Sequence, residues 1–479
     1  MNTTELIEKH AVYIGGEWIE TGPYDTIRLP YDGSPVAQVP RCDVKVLDRA
    51  VRAAQEAARV MAALTNYERA ELLLRIGELI RRDIEVFAHT ISSETGKPIK
   101  EARGEAERSV QTLIAAAQEA RQLHGEVVPM DYAPGGQGRM AMTVREPLGV
   151  IGAITPFNVP LNLALHKIAP ALAGGNAVVH KPAERTPLSA IRLARLFEEA
   201  GVPKGAYNVV TGTGAELGMA MVEHAGIAMI TFTGSVPVGR EIHKRAGLKK
   251  VGLELGNNSA VILEPDADVP TAVLRTRQGA FAHSGQVCIS VQRVYAHEKL
   301  FDSFIEQLKS ETEKLTIGHP FEQSTDISSL IDEPAAVRVK DWIDEAIRDG
   351  ARVVTGGKRD RATIVPTILT DVSPEARLSC DEIFGPAVAV YPYRDLETTI
   401  QRVNSTAYGL QAGIFTTDIA RAFATARKLQ FGGVMINDIP MFRLDHMPYG
   451  GIKQSGLGRE GPRYAIEEMT EPKLICWKV

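Results

Sequence analysis

Val150-Ile-Gly-Ala-Ile154, Ala177-Val-Val-His180 and Tyr207-Asn-Val-Val210 are three apolar runs separated by two stretches of helical spacing, through Ala164 to Leu172 and from Pro187 to Ala200. Strands that are hydrophobic at most positions are buried on both faces, and the intervening helices supply the cover. The alternation predicts a doubly wound, Rossmann-type parallel sheet in an α/β chain, the kind that receives a dinucleotide at the carboxyl edge of its strands. A further apolar strand, Ala228-Met-Ile-Thr231, continues the pattern.

Ligand-binding residues belong at the ends of those strands. After the first comes Thr155-Pro-Phe-Asn158, whose Asn amide either donates to a developing oxyanion or satisfies loop backbone. After the second comes Lys181-Pro-Ala-Glu184. A Lys and a Glu there are costly unless they meet a ligand or each other, and an acidic group at such a place accepts from a ribose hydroxyl and repels a 2′-phosphate. Gly212-Thr-Gly214-Ala-Glu-Leu-Gly218 has one residue too many for a phosphate-cradling glycine fingerprint, and a tight strand-to-helix turn explains it equally well. Phe232-Thr-Gly234-Ser235-Val-Pro-Val-Gly239 is the better candidate, because it follows a strand and opens a helix whose free N–H groups suit a pyrophosphate.

Two segments carry reactive groups. Phe281-Ala-His-Ser-Gly-Gln-Val-Cys288-Ile-Ser-Val-Gln-Arg293 delivers one thiol from a small-residue loop into a β-branched strand. Cys288 is a candidate nucleophile, or a small buried hydrophobe. Upstream, Val251-Gly-Leu-Glu254-Leu-Gly-Asn-Asn-Ser259 sets a single carboxylate in an apolar run, where desolvation raises its pKa towards that of a general base. A Glu neutralised by a neighbouring Arg or Lys is the other reading.

Leu253-Glu-Leu-Gly256 and Gly285-Gln-Val-Cys288 together resemble the signature segments of the aldehyde dehydrogenase superfamily, in its non-acylating, lactaldehyde dehydrogenase-like branch. Cys380-Asp-Glu382-Ile-Phe384-Gly-Pro386, Asn404–Leu410, Gly432–Asn437 and Met447–Glu460 extend the likeness over nearly the whole chain. The resemblance implies an NAD-binding domain at residues 1–124 and 146–255, a catalytic α/β domain at 256–460, and a β oligomerisation arm at 125–145 and 461–479. It implies that Cys288 attacks the aldehyde, that Asn158 and the Cys288 N–H hold the oxyanion, and that Glu254 activates the hydrolytic water. Thr155, Lys181, Glu184, Gly234, Ser235, Gly239, Glu382 and Phe384 are then the cofactor residues, with Glu184 favouring NAD although NADP is possible. The CoA-acylating branch lacks a Glu at position 254, so a free carboxylic acid is the expected product.

Departures from the family pattern bear on substrate. Phe157 stands where Trp is common, Asn257-Asn258 where Gly-Lys is usual, and Val287 where phosphate-preferring relatives tend to have Arg. Arg108, on a helix that borders the substrate tunnel by alignment, and Arg443, expected at the tunnel mouth, are cations where oxidisers of aliphatic aldehydes are apolar. A small polar or anionic aldehyde is therefore the expected substrate. The alternatives are an NADP-dependent phospho-, phosphono- or semialdehyde dehydrogenase and, from another class, a cofactor-free cysteine hydrolase.

The remaining readings are coarse. At 479 residues, with 44% hydrophobic and 24% charged residues and a net charge of −5, the chain is that of a multidomain globular protein without a basic block for nucleic acid. Cys42, Cys288, Cys380 and Cys476 show no zinc spacing and suggest a reducing, cytoplasmic setting. Met1–His10 has charges where a signal peptide needs an apolar run, and no apolar stretch is long enough to span a membrane. Helices are expected from Val44 to about Leu64 with Asp43 as N-cap, along the apolar stripe Leu72–Ile91, and from Ile99 to Leu123. Residues 125–145 read as an extended hairpin and Lys473–Val479 as a strand, the pieces of a dimer- or tetramer-forming arm.

Overall fold

The computed structural model describes residues 7–479, so the start of the charged Met1–His10 segment lies outside the described residues. Its first sheet is the doubly wound one. The strands run in the order Tyr207–Val209, Ala177–Lys181, Val150–Ile154, Met229–Thr233 and Lys250–Glu254, all parallel, and Gly456–Leu457 adds an antiparallel edge. Every residue of the three central strands is buried, as their largely apolar character requires. Helices Asn162–Ala173 and Leu188–Glu199 make the crossovers. The strand order reverses between Val150–Ile154 and Met229–Thr233, which opens a crevice at their carboxyl ends.

The N-terminal helices pack on this sheet. Val44–Ala63 is capped by Asp43, whose carboxylate accepts from the Val46 N–H at 2.9 Å. The Leu72–Ile91 stripe is broken at Asp83 into helices Asn66–Arg82 and Ile84–Thr95, the first started by a Thr65/Glu68 capping box. Ile99–Gln122 follows. Leu47, Leu73, Ile76 and Leu113 from these helices share one core with Ile151 and Val178 of the sheet. Tyr24–Arg28 and Pro35–Pro40 form an antiparallel pair joined by a turn at Pro30–Asp32.

A second, seven-stranded sheet occupies residues 259–436, in the order Arg352–Thr355, Thr367–Thr370, Ala387–Tyr393, Val291–His297, Ser259–Leu263, Gln411–Phe415 and Gly433–Ile436. All its pairings are parallel except that of Arg352–Thr355. Cys288 lies just before the amino end of one strand of this sheet, and Glu254 ends a strand of the first.

A third sheet pairs Arg139–Pro147 with Thr470–Lys478 over nine residues on one side and with Val127–Val128 on the other. Helix Pro462–Glu468 precedes the last strand and packs on Asn162–Ala173, with Ile466 in the first core. Among the described residues no helix is long and apolar enough to cross a membrane.

Candidate active site

The Cys288 loop is held in a strained shape. His283, Ser284 and Gly285 have φ of 47°, 52° and 72° in succession, a left-handed run that only the surrounding contacts sustain. Gly285 is obligatory, because a Cβ there would strike the Gly385 carbonyl oxygen. Gln286 is pinned twice: its side-chain oxygen accepts from the Ile331 N–H at 2.8 Å, and its carbonyl accepts from Asn158 Nδ2 at 2.8 Å. Asn158 therefore does satisfy loop backbone, but with one of its two amide hydrogens, which leaves the other for a ligand beside Cys288.

Cys288 is partly buried against Ile289, Leu410, Met441 and Tyr449. This enclosure pushes its thiol up to about 12; Tyr449 and Arg443 act in the opposite sense, while Glu382 and Glu254 add to the rise. The sulfur lies 2.9 Å from the Tyr449 hydroxyl. Glu254 is buried, forms no ion pair among the described residues, and leaves Oε2 without a hydrogen-bond partner. Burial first, and then the charge of Glu460, raise it well above the ordinary carboxylate range. A buried, unpaired carboxyl group is the state a general base needs, not that of a Glu neutralised by an Arg or Lys.

Behind these groups runs a connected polar network that the sequence reading largely missed. Glu460 accepts from Lys167 Nζ at 2.9 Å and from Arg443 Nη2 at 3.0 Å. Burial works to raise Glu460, but Lys167 and Arg443 outweigh it and hold it down to about 2. Arg443 also lies 3.2 Å from His166, which sits 2.9 Å from Asp445, and Asp445 accepts from Arg108 at 2.8 Å. Arg443 is thus not at a tunnel mouth: its side chain is 6% exposed and its guanidinium covers the Tyr449 ring at 3.6 Å. Arg108 is the half-exposed outer end of the chain of contacts. A readable signal was present in His166-Lys167, two polar residues inside an otherwise apolar helix.

The carboxyl edge of the first sheet forms a second cluster. Lys181 is buried, yet its ammonium has one partner, the Pro182 carbonyl at 3.2 Å, for three donors. Burial draws it down to about 8, with Glu184 opposing. Glu184 is exposed and accepts from the Gly214 N–H at 2.5 Å, so the Gly212–Gly218 segment acts as a strand-to-helix turn against it. Thr155 Oγ1 is 2.8 Å from His180. Gly234 and Gly239 have no room for side chains, being pressed on Phe232 and Leu255, and Ser235 begins helix Val236–Arg245 without capping it. On the far side Glu382 accepts from the Asn257 N–H at 3.0 Å, and burial raises it to about 7. Asn258 Nδ2 donates to the Asp381 carbonyl at 2.8 Å, so this Asn pair joins the Glu254 strand to the Glu382 segment. Phe384, at φ 47°, meets Phe157 edge-on at 5.8 Å.

The geometry now stands beside known proteins. A sequence profile described as the aldehyde dehydrogenase family matches residues 18–475. The chain belongs to the aldehyde dehydrogenase family. This aldehyde dehydrogenase is 47% identical to the 3-sulfolactaldehyde dehydrogenase of Priestia aryabhattai over 99% of both chains. It is 40% identical to the lactaldehyde dehydrogenase of Methanococcus aeolicus over 97% of this chain and 99% of that one. The crystal structure of the NADP-dependent glyceraldehyde-3-phosphate dehydrogenase of Bacillus halodurans, complexed with NADP, superposes with a TM-score of 0.96 at 37% identity, over 98% of this chain and 99% of that one.

Proposed function

We propose that this aldehyde dehydrogenase oxidises a small anionic aldehyde, of the 3-sulfolactaldehyde type, to its carboxylic acid with NAD. The observation that carries the substrate class is the network beside Cys288: three cations, Arg108, Lys167 and Arg443, face two carboxylates, Asp445 and Glu460. The network carries one cation more than it has carboxylates, and a monoanionic substrate supplies its match. Arg443 Nε is buried without a partner, a donor left for that anion.

The residues at the sheet edge suit the dinucleotide. Lys181, with two unused donors, and Glu184 would hold a ribose; the start of helix Val236–Arg245 at Gly234-Ser235 would face the pyrophosphate, with Gly239 and Thr155 shaping the crevice; Glu382 and Phe384 would hold the nicotinamide end. The exposed Glu184 carboxylate disfavours a 2′-phosphate, hence NAD. When bound, the cofactor supplies a hydride acceptor for the substrate carbon.

Cys288, as thiolate, adds to the carbonyl carbon, and the displaced π pair goes to oxygen, held by the free Asn158 N–H and the Cys288 N–H. Once the carbon has been oxidised to a thioester, Glu254 takes a proton from water, hydroxide adds, and the C–S bond breaks to release the acid. Because Glu254 must be ionised for this step and its folded pKa is raised, hydrolysis quickens as pH rises through that elevated value.

Arg443→Met should raise KM for 3-sulfolactaldehyde about 10- to 100-fold more than that for propanal in steady-state assays, the worth of a charge-assisted contact, beyond whatever loss the two aldehydes share. Equal losses for both aldehydes would remove the anion assignment.

Two further parts belong to the same proposal. The chain divides into a cofactor domain at 1–124 and 146–255, a catalytic domain at 256–460 and the arm, and the protein works in the cytoplasm, where its four free cysteines stay reduced. The arm pairs subunits into a dimer or tetramer. Ile475 lies opposite Met142 and Trp477 opposite Met140, so with Val127 they form one exposed apolar face, and strand Thr470–Lys478 is an open sheet edge. Light scattering should find the Ile475→Asp/Trp477→Asp double variant at a single-chain mass of 52.0 kDa; an unchanged oligomer would place the interface elsewhere.

A further inference from the structure

Tyr449 is the only side chain hydrogen-bonded to Cys288 among the described residues, and nothing in the signature segments assigns it a task. Three features fix it. Its backbone N–H donates to the Glu460 carbonyl at 3.0 Å and its carbonyl accepts from the Glu460 N–H at 2.6 Å, so the two residues move as one. Its ring is covered by the Arg443 guanidinium at 3.6 Å, and it is 4% exposed, so the hydroxyl cannot turn to solvent. The hydroxyl ends 2.9 Å from the sulfur. A cation over a phenol ring withdraws electron density and strengthens its O–H as a donor.

We infer that Tyr449 donates its hydroxyl hydrogen to the Cys288 thiolate and so acts as a catalytic residue that makes the nucleophile available in a partly buried site, with Arg443 polarising it from behind. The charged and titratable groups that face the sulfur are Tyr449, Arg443, Glu254 and Glu382, and the two carboxyl groups work against ionisation. Tyr449 itself is held far above the ordinary phenol range by its burial, then by Cys288 and Glu254, so it stays protonated and able to donate while the thiolate forms. Arg443 has two tasks in consequence: its edge serves the substrate anion and its face serves Tyr449.

The inference rests on Cys288 being the nucleophile but not on the choice of aldehyde. Its first test uses neither substrate nor cofactor: the rate of iodoacetamide alkylation at Cys288, mapped by peptide mass spectrometry from pH 6 to 11. In Tyr449→Phe, which removes one oxygen and keeps the ring, the alkylation profile should move up by about one to two pH units, a roughly 10- to 100-fold smaller thiolate fraction at a given pH, which is the worth of a hydrogen bond to a charged group. The ascending limb of kcat/KM against pH should move with it, while quenching of bound NADH fluorescence keeps its midpoint. An alkylation profile that coincides with that of the parent, in a variant that still binds NADH, would overturn the inference. Should the variant not fold, the difference spectrum between the parent and Cys288→Ser, which cancels the other tyrosines and cysteines, decides: a thiolate band at 240 nm that tracks alkylation without a tyrosinate band at 295 nm supports a protonated Tyr449 beside an ionised sulfur, and both bands in that difference refute it.

Discussion

Cys288→Ser is expected to lose aldehyde oxidation by about 10³-fold or more, some 4 kcal/mol of activation free energy. A serine hydroxyl in the same position would have Tyr449 for its neighbour, a donor rather than a base. Tyr449 and Arg443 favour an anion that sulfur forms and oxygen does not. The cradle at the sheet edge is untouched, so NADH should bind with the parent's affinity. Turnover at the native rate would mean that the sulfur takes no part, and with it would go the reading of Gly285 and of the strained His283–Gly285 backbone as devices for presenting it.

Glu254→Gln should separate the two halves of the reaction. The amide keeps the size of the carboxyl group and removes its capacity to take a proton from water. The first half, attack by Cys288 and oxidation of the carbon, does not need that proton transfer. Stopped-flow absorbance at 340 nm should therefore show a burst of NADH close to one per active site, followed by a steady rate about 10²- to 10⁴-fold below that of the parent, the usual worth of a general base. In the parent the steady rate should climb with pH through the raised pKa of Glu254, and in the Gln variant this limb should vanish. A variant with no burst and a uniformly slowed reaction would instead place Glu254 before the oxidation step.

The first sheet was readable because its strands are buried on both faces, which leaves no polar residue to interrupt Val150–Ile154 or Ala177–Val179. Strand ends then told where ligands go, and Thr155, Asn158, Lys181, Glu184 and Gly234 all fall on one edge. The second sheet was not laid out from sequence, since strands such as Thr367–Thr370 are too short to show a period. The break at Asp83 was missed for a related reason, because the apolar spacing continues across it while the backbone leaves the helical region. Lys167 was marked by its place in an apolar helix, but its pairing and that of Tyr449 were illegible because the partners are remote: Tyr449 meets Cys288 across 161 residues, and Lys167 meets Glu460 across 293. Arg443 was singled out for its charge but placed at the wrong depth, since a lone Arg in a loop carries no sign that Glu460 and an aromatic ring will draw it inside.

The most direct test is the intact mass of the Glu254→Gln protein after mixing with NAD and 3-sulfolactaldehyde, followed by peptide mapping. A covalent acyl group should accumulate to nearly one per chain and map to the peptide that contains Cys288. A protein that forms NADH yet keeps its unmodified mass at every time point, or that carries the acyl group on another residue, would contradict the thioester route.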